Sequence, residues 1–92
     1  MEDNKPTSAE APAPTENRPL TFGEKAVGLT FNPGGNPVVD ACKRGFAAEI
    51  DRMNDLRNDP ITTPEAKRLA SVAITELQGA QMWAVKAITW RD

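Results

Sequence analysis

The stretch TTPEAKRLASVAITELQGAQMWAVKAITW, residues 62–90, decides the fold of this 92-residue chain. Thr63 is a suitable helix N-cap and Pro64 suits the first helical position, so we expect one long helix that continues to about Trp90. Small and apolar side chains follow it at helical spacing. This stripe comprises Ala66, Leu69, Ala70, Ala73, Leu77, Ala80, Ala84, Ala87 and Ile88.

A second set of apolar side chains points to other sides of the same helix. It comprises Val72, Ile74, Met82, Trp83 and Val85. One shorter helix packed alongside can bury only one of these faces, and the remainder needs other copies of the chain. We therefore expect a homo-oligomer whose function resides at its subunit interfaces.

The preceding segment predicts another long helix, from about Pro37 to Arg57, with Asn36 as its N-cap. The connection at residues 58–62 is short, which makes the two helices antiparallel neighbours in a helical hairpin. The apolar face of this earlier helix comprises Val39, Cys42, Phe46, Ile50, Met53 and Leu56.

The N-terminal part divides into two segments. Residues 1–18 are rich in Pro, Ala, Glu and Thr, which predicts a disordered tail before a domain at residues 19–92. Residues 20–22 and 27–31 contain β-forming side chains and predict a short β-hairpin or strand pair. The expected fold class is mainly α, an antiparallel two-helix hairpin with a short N-terminal β segment, assembled as a homo-oligomer.

The composition excludes several function classes. A formal net charge of -2 argues against binding to duplex nucleic acid, which requires a basic surface. The sequence contains no histidine and one cysteine, so we expect no metal site, no cofactor and no histidine-based catalysis. No apolar run approaches the roughly 20 residues of a membrane span, and residues 1–18 lack the pattern of a signal peptide.

Several polar and aromatic residues are candidate binding groups, each with a simpler alternative. Thr75, Glu76 and Gln78 form either a solvated strip or a patch that faces an interface or a polar ligand. Phe31 is either part of the core or a stacking platform for a base, and the residues alone favour the core. The cations Lys43, Lys86 and Arg91 are either surface residues or phosphate contacts.

Three segments carry a resemblance to a known family: Gly28-Leu29-Thr30-Phe31-Asn32-Pro33, Ala41-Cys42-Lys43, and residues 74–90. They resemble the helical-hairpin domain of small phage proteins that include the anti-CBASS and anti-Thoeris cyclic-nucleotide sponges, over roughly residues 20–90. The resemblance implies a hexamer in the cytoplasm of the infected bacterial host. It would trap cyclic di- or trinucleotides, or cyclic ADP-ribose signals, between subunits without cleaving them.

The resemblance also implies roles for individual residues. Lys43 would contact ligand phosphates, and Phe31, beside Asn32, stands where the family usually places a tyrosine against a base. A second pocket on a threefold axis would use Thr75, Glu76, Gln78 and Lys86. Lys86 replaces an arginine there and would hold a phosphate as a point charge. The alternative is a phage structural or assembly oligomer without a small-molecule ligand, built on the same hairpin.

Overall fold

A computed structural model describes residues 18–92 of the chain. These residues form three α-helices and one 3₁₀ turn at Pro33–Gly35. The helices are α1 (Phe22–Ala26), α2 (Pro37–Asn58) and α3 (Pro64–Ile88). The helices α2 and α3 pack against each other as the hairpin, and α1 packs on α2. The predicted disordered tail lies outside the described residues, except for Arg18.

Both long helices begin where the sequence predicts. The Asn36 side-chain oxygen accepts hydrogen bonds from the first backbone N–H groups of α2, at 2.8 and 3.3 Å. The Thr63 hydroxyl accepts one from Ala66 in α3, at 3.3 Å. A proline follows each cap, at a position where its missing N–H costs nothing. The caps and the helical hairpin are therefore confirmed.

The predicted N-terminal β segment is wrong, because residues 18–92 contain no strand. Instead, Thr21 begins α1 with a capping box, in which its hydroxyl and the Glu24 carboxylate each accept the other residue's backbone N–H. The β-forming residues Val27 and Leu29 then lie in a turn and insert into the core, where they are almost completely buried. A local cap and long-range burial thus outweigh β propensity.

An ion pair with Arg18 stabilises this helix start. The Arg18 guanidinium donates to both carboxylate oxygens of Glu24, at 2.9 and 3.0 Å. These hydrogen bonds lower the pKa of Glu24 below its usual value, so the carboxylate stays ionised to a lower pH than an unpaired glutamate would.

The first helix approaches α2 more closely than a side chain would allow. The backbone N–H of Gly23 donates to the Asp51 carboxylate at 2.7 Å. A Cβ atom at Gly23 would lie 2.1 Å from the Ala47 carbonyl oxygen. The core forms beneath this contact, from Val27, Leu29, Ala47, Ile50 and Ile74, with Ala26, Phe46, Met53 and Leu77 packed against it.

The buried face of α3 is displaced from the predicted stripe. Ile74 belongs to the core, although the sequence pattern placed it on the second face. Leu69 is 52% exposed, although the pattern placed it on the buried stripe. The buried residues of α3 are Ala70, which belongs to the predicted stripe, and Ile74 and Gln81, which do not. Small or apolar residues occupy most sides of this helix, so their periodicity did not select one face.

Large apolar side chains remain exposed on the other side of α3. Trp83 is 71% exposed, and Met82 and Trp90 are each 64% exposed. The prediction that one neighbouring helix cannot cover both faces of α3 therefore agrees with the described chain. Within residues 18–92, no helix combines the length and apolarity needed to cross a membrane.

The tight docking of α1 can be tested by substituting glycines. Gly23→Ala should lower the free energy of unfolding by about 1–3 kcal/mol, because its Cβ would overlap the α2 backbone. Gly45→Ala is the matched control, since a Cβ atom there would meet nothing within 4 Å in the described chain. It should raise helix stability by about 0.5–1 kcal/mol. Chemical denaturation monitored by circular dichroism measures both, and equal effects would contradict the docking.

Candidate functional site

A concave surface lies where the start of α2 meets the end of α3. It is a groove of about 440 Å³, bordered by the loop that precedes α2. The antiparallel hairpin brings these distant parts of the sequence together. The residues that give the groove its chemical character are Phe31, Asn32, Val39, Lys43, Val85 and Arg91.

The loop at residues 28–36 is closed by its own hydrogen bonds. The Asn32 side-chain N–H donates to the Asn36 carbonyl oxygen at 2.9 Å, and the Gly35 backbone N–H donates to the Asn32 carbonyl at 2.9 Å. Gly34 has a φ of 83°, a left-handed conformation that glycine adopts without strain. One side-chain N–H of Asn32 therefore supports the loop, while its second N–H and its side-chain oxygen form no other hydrogen bond within residues 18–92.

Lys43 is buried beneath this loop, with only 5% of its surface exposed. Its ammonium donates to the Gly28 carbonyl oxygen at 2.9 Å and makes a second, short hydrogen bond to the Phe31 carbonyl oxygen. The same nitrogen lies 5.6 Å from the centroid of the Phe31 ring. A buried ammonium is costly unless hydrogen-bonded, and the two carbonyls supply that compensation. Lys43 thus ties the loop to α2.

The ring of Phe31 faces solvent rather than the core. Phe31 is 72% exposed, so the interpretation that favoured a core residue is wrong. Its carbonyl oxygen is held by Lys43, which keeps the backbone at residue 31 in place while the ring lies at the groove. An exposed aromatic ring beside a cation can stack on a base.

The other predicted site residues lie outside this groove. Thr75 and Glu76 are exposed, and the Thr75 hydroxyl donates to the Ser71 carbonyl at 3.4 Å. The Gln78 side chain donates to the Ala26 carbonyl at 3.5 Å and so connects α3 to the end of α1. Lys86 lines a separate shallow cavity of about 310 Å³ with Gly79, Met82 and Trp83. The structure therefore brings together Phe31, Asn32 and Lys43, but not the polar group of α3.

The sequence patterns missed the burial of one polar side chain of α3, and they did not place Arg91 in the groove. Gln81 is buried, with 5% exposure, and its side chain forms no hydrogen bond within the part of the chain that the structure describes. Arg91, which the sequence left open as either a surface residue or a phosphate contact, borders the groove. The available signal for the burial of Gln81 was its helical spacing from the apolar buried residues of α3. Arg91 reaches the groove only through the hairpin geometry, so no local sequence pattern indicates its position.

The fold and the groove define a small helical-hairpin protein with a concave surface of aromatic and cationic character. The family model described as "Acb2/Tad1, hairpin domain" matches residues 24–89, which include the whole hairpin, Phe31 and Lys43. The chain therefore belongs to this family, the phage anti-CBASS and anti-Thoeris cyclic-nucleotide sponges, and the resemblance is confirmed. No curated protein and no solved structure matches the chain.

The structural role of Lys43 predicts a loss of stability when its charge is removed. Lys43→Met should lower the free energy of unfolding by about 1–3 kcal/mol, because two loop carbonyls lose their charged donor. Lys86→Met is the control, since within residues 18–92 the exposed Lys86 makes only a 5.8 Å contact with the Trp90 ring. Thermal denaturation should separate the two variants. Equal melting temperatures would mean that the loop does not depend on Lys43.

Proposed function

We propose that this protein is a phage anti-defence protein that binds cyclic nucleotide second messengers and sequesters them without cleavage. The ligands would be cyclic di- or trinucleotides, or signals of the cyclic ADP-ribose type. The observation that carries this proposal is the groove, where an exposed aromatic ring lies beside cations in a chain of a sponge family.

The groove supplies the two kinds of contact that such ligands require. Phe31 offers a ring face for a base, and stacking is tolerant of base identity. It has no hydroxyl, unlike the tyrosine usual at this position, so the ring would hold the base by stacking alone. Lys43 and Arg91 place positive charge next to it, where phosphates can accept charge-assisted hydrogen bonds. A chain with a net charge of -2 can therefore still attract an anionic ligand locally.

The residues of the groove also support binding without chemistry. Among the described residues that line it, none is a carboxylate, a cysteine or a histidine. Cleavage of a phosphodiester at such a surface would lack a side chain suited to act as a general base. A sponge needs only tight binding and a sufficient concentration of protein. The ring and the cations of this groove are groups that support binding.

Assembly into a homo-oligomer, which we take to be a hexamer, completes the proposal. Met82 and Trp83 on the exposed face of α3, and Trp90 just after the helix, would be buried against other copies. In that assembly the Phe31 groove would be closed by a second subunit. Thr75, Glu76, Gln78 and Lys86 lie on α3 outside the groove and would belong to a second pocket shared by three subunits. The site of action would be the cytoplasm of the infected host.

Association can be tested with one charged substitution on the exposed face. Light scattering at micromolar concentration should give a multiple of 10.0 kDa, and we expect six copies. Trp83→Glu should reduce this mass, since it would place a charge in the buried interface. Ile61→Glu changes an 86% exposed apolar residue in the connection between α2 and α3 and should leave the mass unchanged. A monomeric unsubstituted chain would contradict the proposed assembly.

Ligand capture can be tested with a panel of cyclic di- and trinucleotides and cyclic ADP-ribose compounds. A ligand that binds only the native state should raise the melting temperature, and heat denaturation should then release it intact. Phe31→Ala should remove most of this shift without unfolding the chain, because the ring is 72% exposed. A degraded product after release would overturn the non-catalytic part of the proposal. Oligomers that bind nothing in the panel would favour the structural alternative.

A further inference from the structure

Two cations border the groove, and their surroundings differ. The ammonium of Lys43 is buried and already donates to two loop carbonyls, which uses two of its three N–H groups. Arg91 is exposed, and it forms no ion pair or hydrogen bond with the rest of residues 18–92. All the donors of its guanidinium are therefore available to a ligand.

The segment after α3 directs Arg91 to the groove. Thr89 is the C-cap of α3, and its backbone N–H donates to the Val85 carbonyl at 3.0 Å. The side chain of Trp90 lies under the Lys86 ammonium and its indole N–H donates to the Asp92 carboxylate at 3.0 Å. Trp90 thus contacts residues outside the groove, while Arg91 lines it together with Val85 and Thr89.

The neighbouring acidic group forms no ion pair with Arg91. Asp92 is the acidic residue next to it in the sequence, and its carboxylate accepts from the Trp90 indole. The groove lining, as far as the described chain forms it, includes no carboxylate. Within residues 18–92 the groove therefore presents a guanidinium without an ion-pair partner, in the same groove as the exposed ring of Phe31.

We infer that Arg91 is the phosphate-binding residue of the groove and that Lys43 is a positioning residue, which fixes the Phe31 loop through its two carbonyl contacts. This inference rests on the proposed function and deepens it. The planar guanidinium can donate to two oxygens of a phosphodiester at once, a geometry that an ammonium cannot reproduce. The recognised chemistry is thus a base stacked on Phe31 with its adjoining phosphodiester on Arg91.

Substitution of Arg91 tests the phosphate contact directly. Isothermal titration with whichever cyclic nucleotide the unsubstituted protein binds should give an affinity about tenfold to hundredfold weaker for Arg91→Gln. The affinity of Arg91→Lys should fall between those of the unsubstituted protein and Arg91→Gln, since lysine keeps the charge but loses the bidentate geometry. Both variants should keep the oligomer mass and melting temperature, because Arg91 is exposed. Arg68→Gln is the matched control: it removes an exposed arginine near the start of α3, where it pairs with Glu65, and should bind normally.

The role of Lys43 has a separate readout. The affinity of Arg91→Gln should fall less steeply with added salt than that of the unsubstituted protein, because one phosphate contact is gone. Lys43→Met should keep the original salt dependence while binding weakens, and hydrogen exchange at residues 28–36 should become faster. A salt dependence reduced by Lys43→Met but unchanged by Arg91→Gln would reverse the two assignments and overturn the inference.

A probe that is not a nucleotide separates this inference from the proposed function. Inorganic pyrophosphate should bind weakly and shift the guanidinium Nε–H resonance of Arg91 in an NMR titration. Arg91→Gln should remove this resonance and abolish the binding of pyrophosphate. If cyclic nucleotides fail to bind but this shift is present, the proposed function is overturned and the anion site stands. If cyclic nucleotides bind Arg91→Gln with unchanged affinity, the inference is overturned and the proposed function stands.

Discussion

The buried ammonium of Lys43 is the contact on which the groove depends. It joins α2 to the carbonyls of Gly28 and Phe31, two points on a loop that has few apolar side chains of its own. Removing an ammonium from water is costly, so the loop and the lysine stabilise each other only as a pair. The same contact fixes the backbone of Phe31 while its ring stays exposed. This electrostatic interaction acts together with the loop's own hydrogen bonds to hold Phe31 at the groove.

Local signals account for the part of the fold that the sequence predicted. Asn36 and Thr63 are followed by prolines, and each forms the cap that this pattern indicates. The error at the N-terminus has a physical cause, because the β-forming residues Val27 and Leu29 are buried in a turn. The capping pair Thr21 and Glu24 was present in the sequence, three positions apart, and indicated α1. The β propensity of the short runs at residues 20–22 and 27–31 was a weaker indication of the local structure than this capping pattern.

The candidate site was predictable in its members but not in its geometry. The resemblance singled out Phe31, Asn32 and Lys43, and the structure places them in one groove. The sequence did not show how far each side chain is buried. An aromatic ring is usually the buried one and a lysine the exposed one, whereas here Phe31 is exposed and Lys43 is buried. Lys43 does occur at helical spacing between the buried residues Val39 and Ala47, a sign that it shares their face. Arg91 was named as a possible phosphate contact, but helical spacing could not place it in the groove, since it follows the last helix and reaches the groove only through the hairpin.

In the proposed oligomer, the two faces of α3 would connect assembly with ligand binding. Val85 and Thr89 face the groove, whereas Met82 and Trp83 lie on the exposed side of the same helix. Trp90 is 64% exposed and directly precedes Arg91 in the chain. Covering Trp90 with another copy would restrict the short segment that carries Arg91, and so reduce the entropy that ligand binding must overcome. A ligand held by Arg91 would in turn favour the assembled state by the same free energy, since coupling between two binding events is reciprocal.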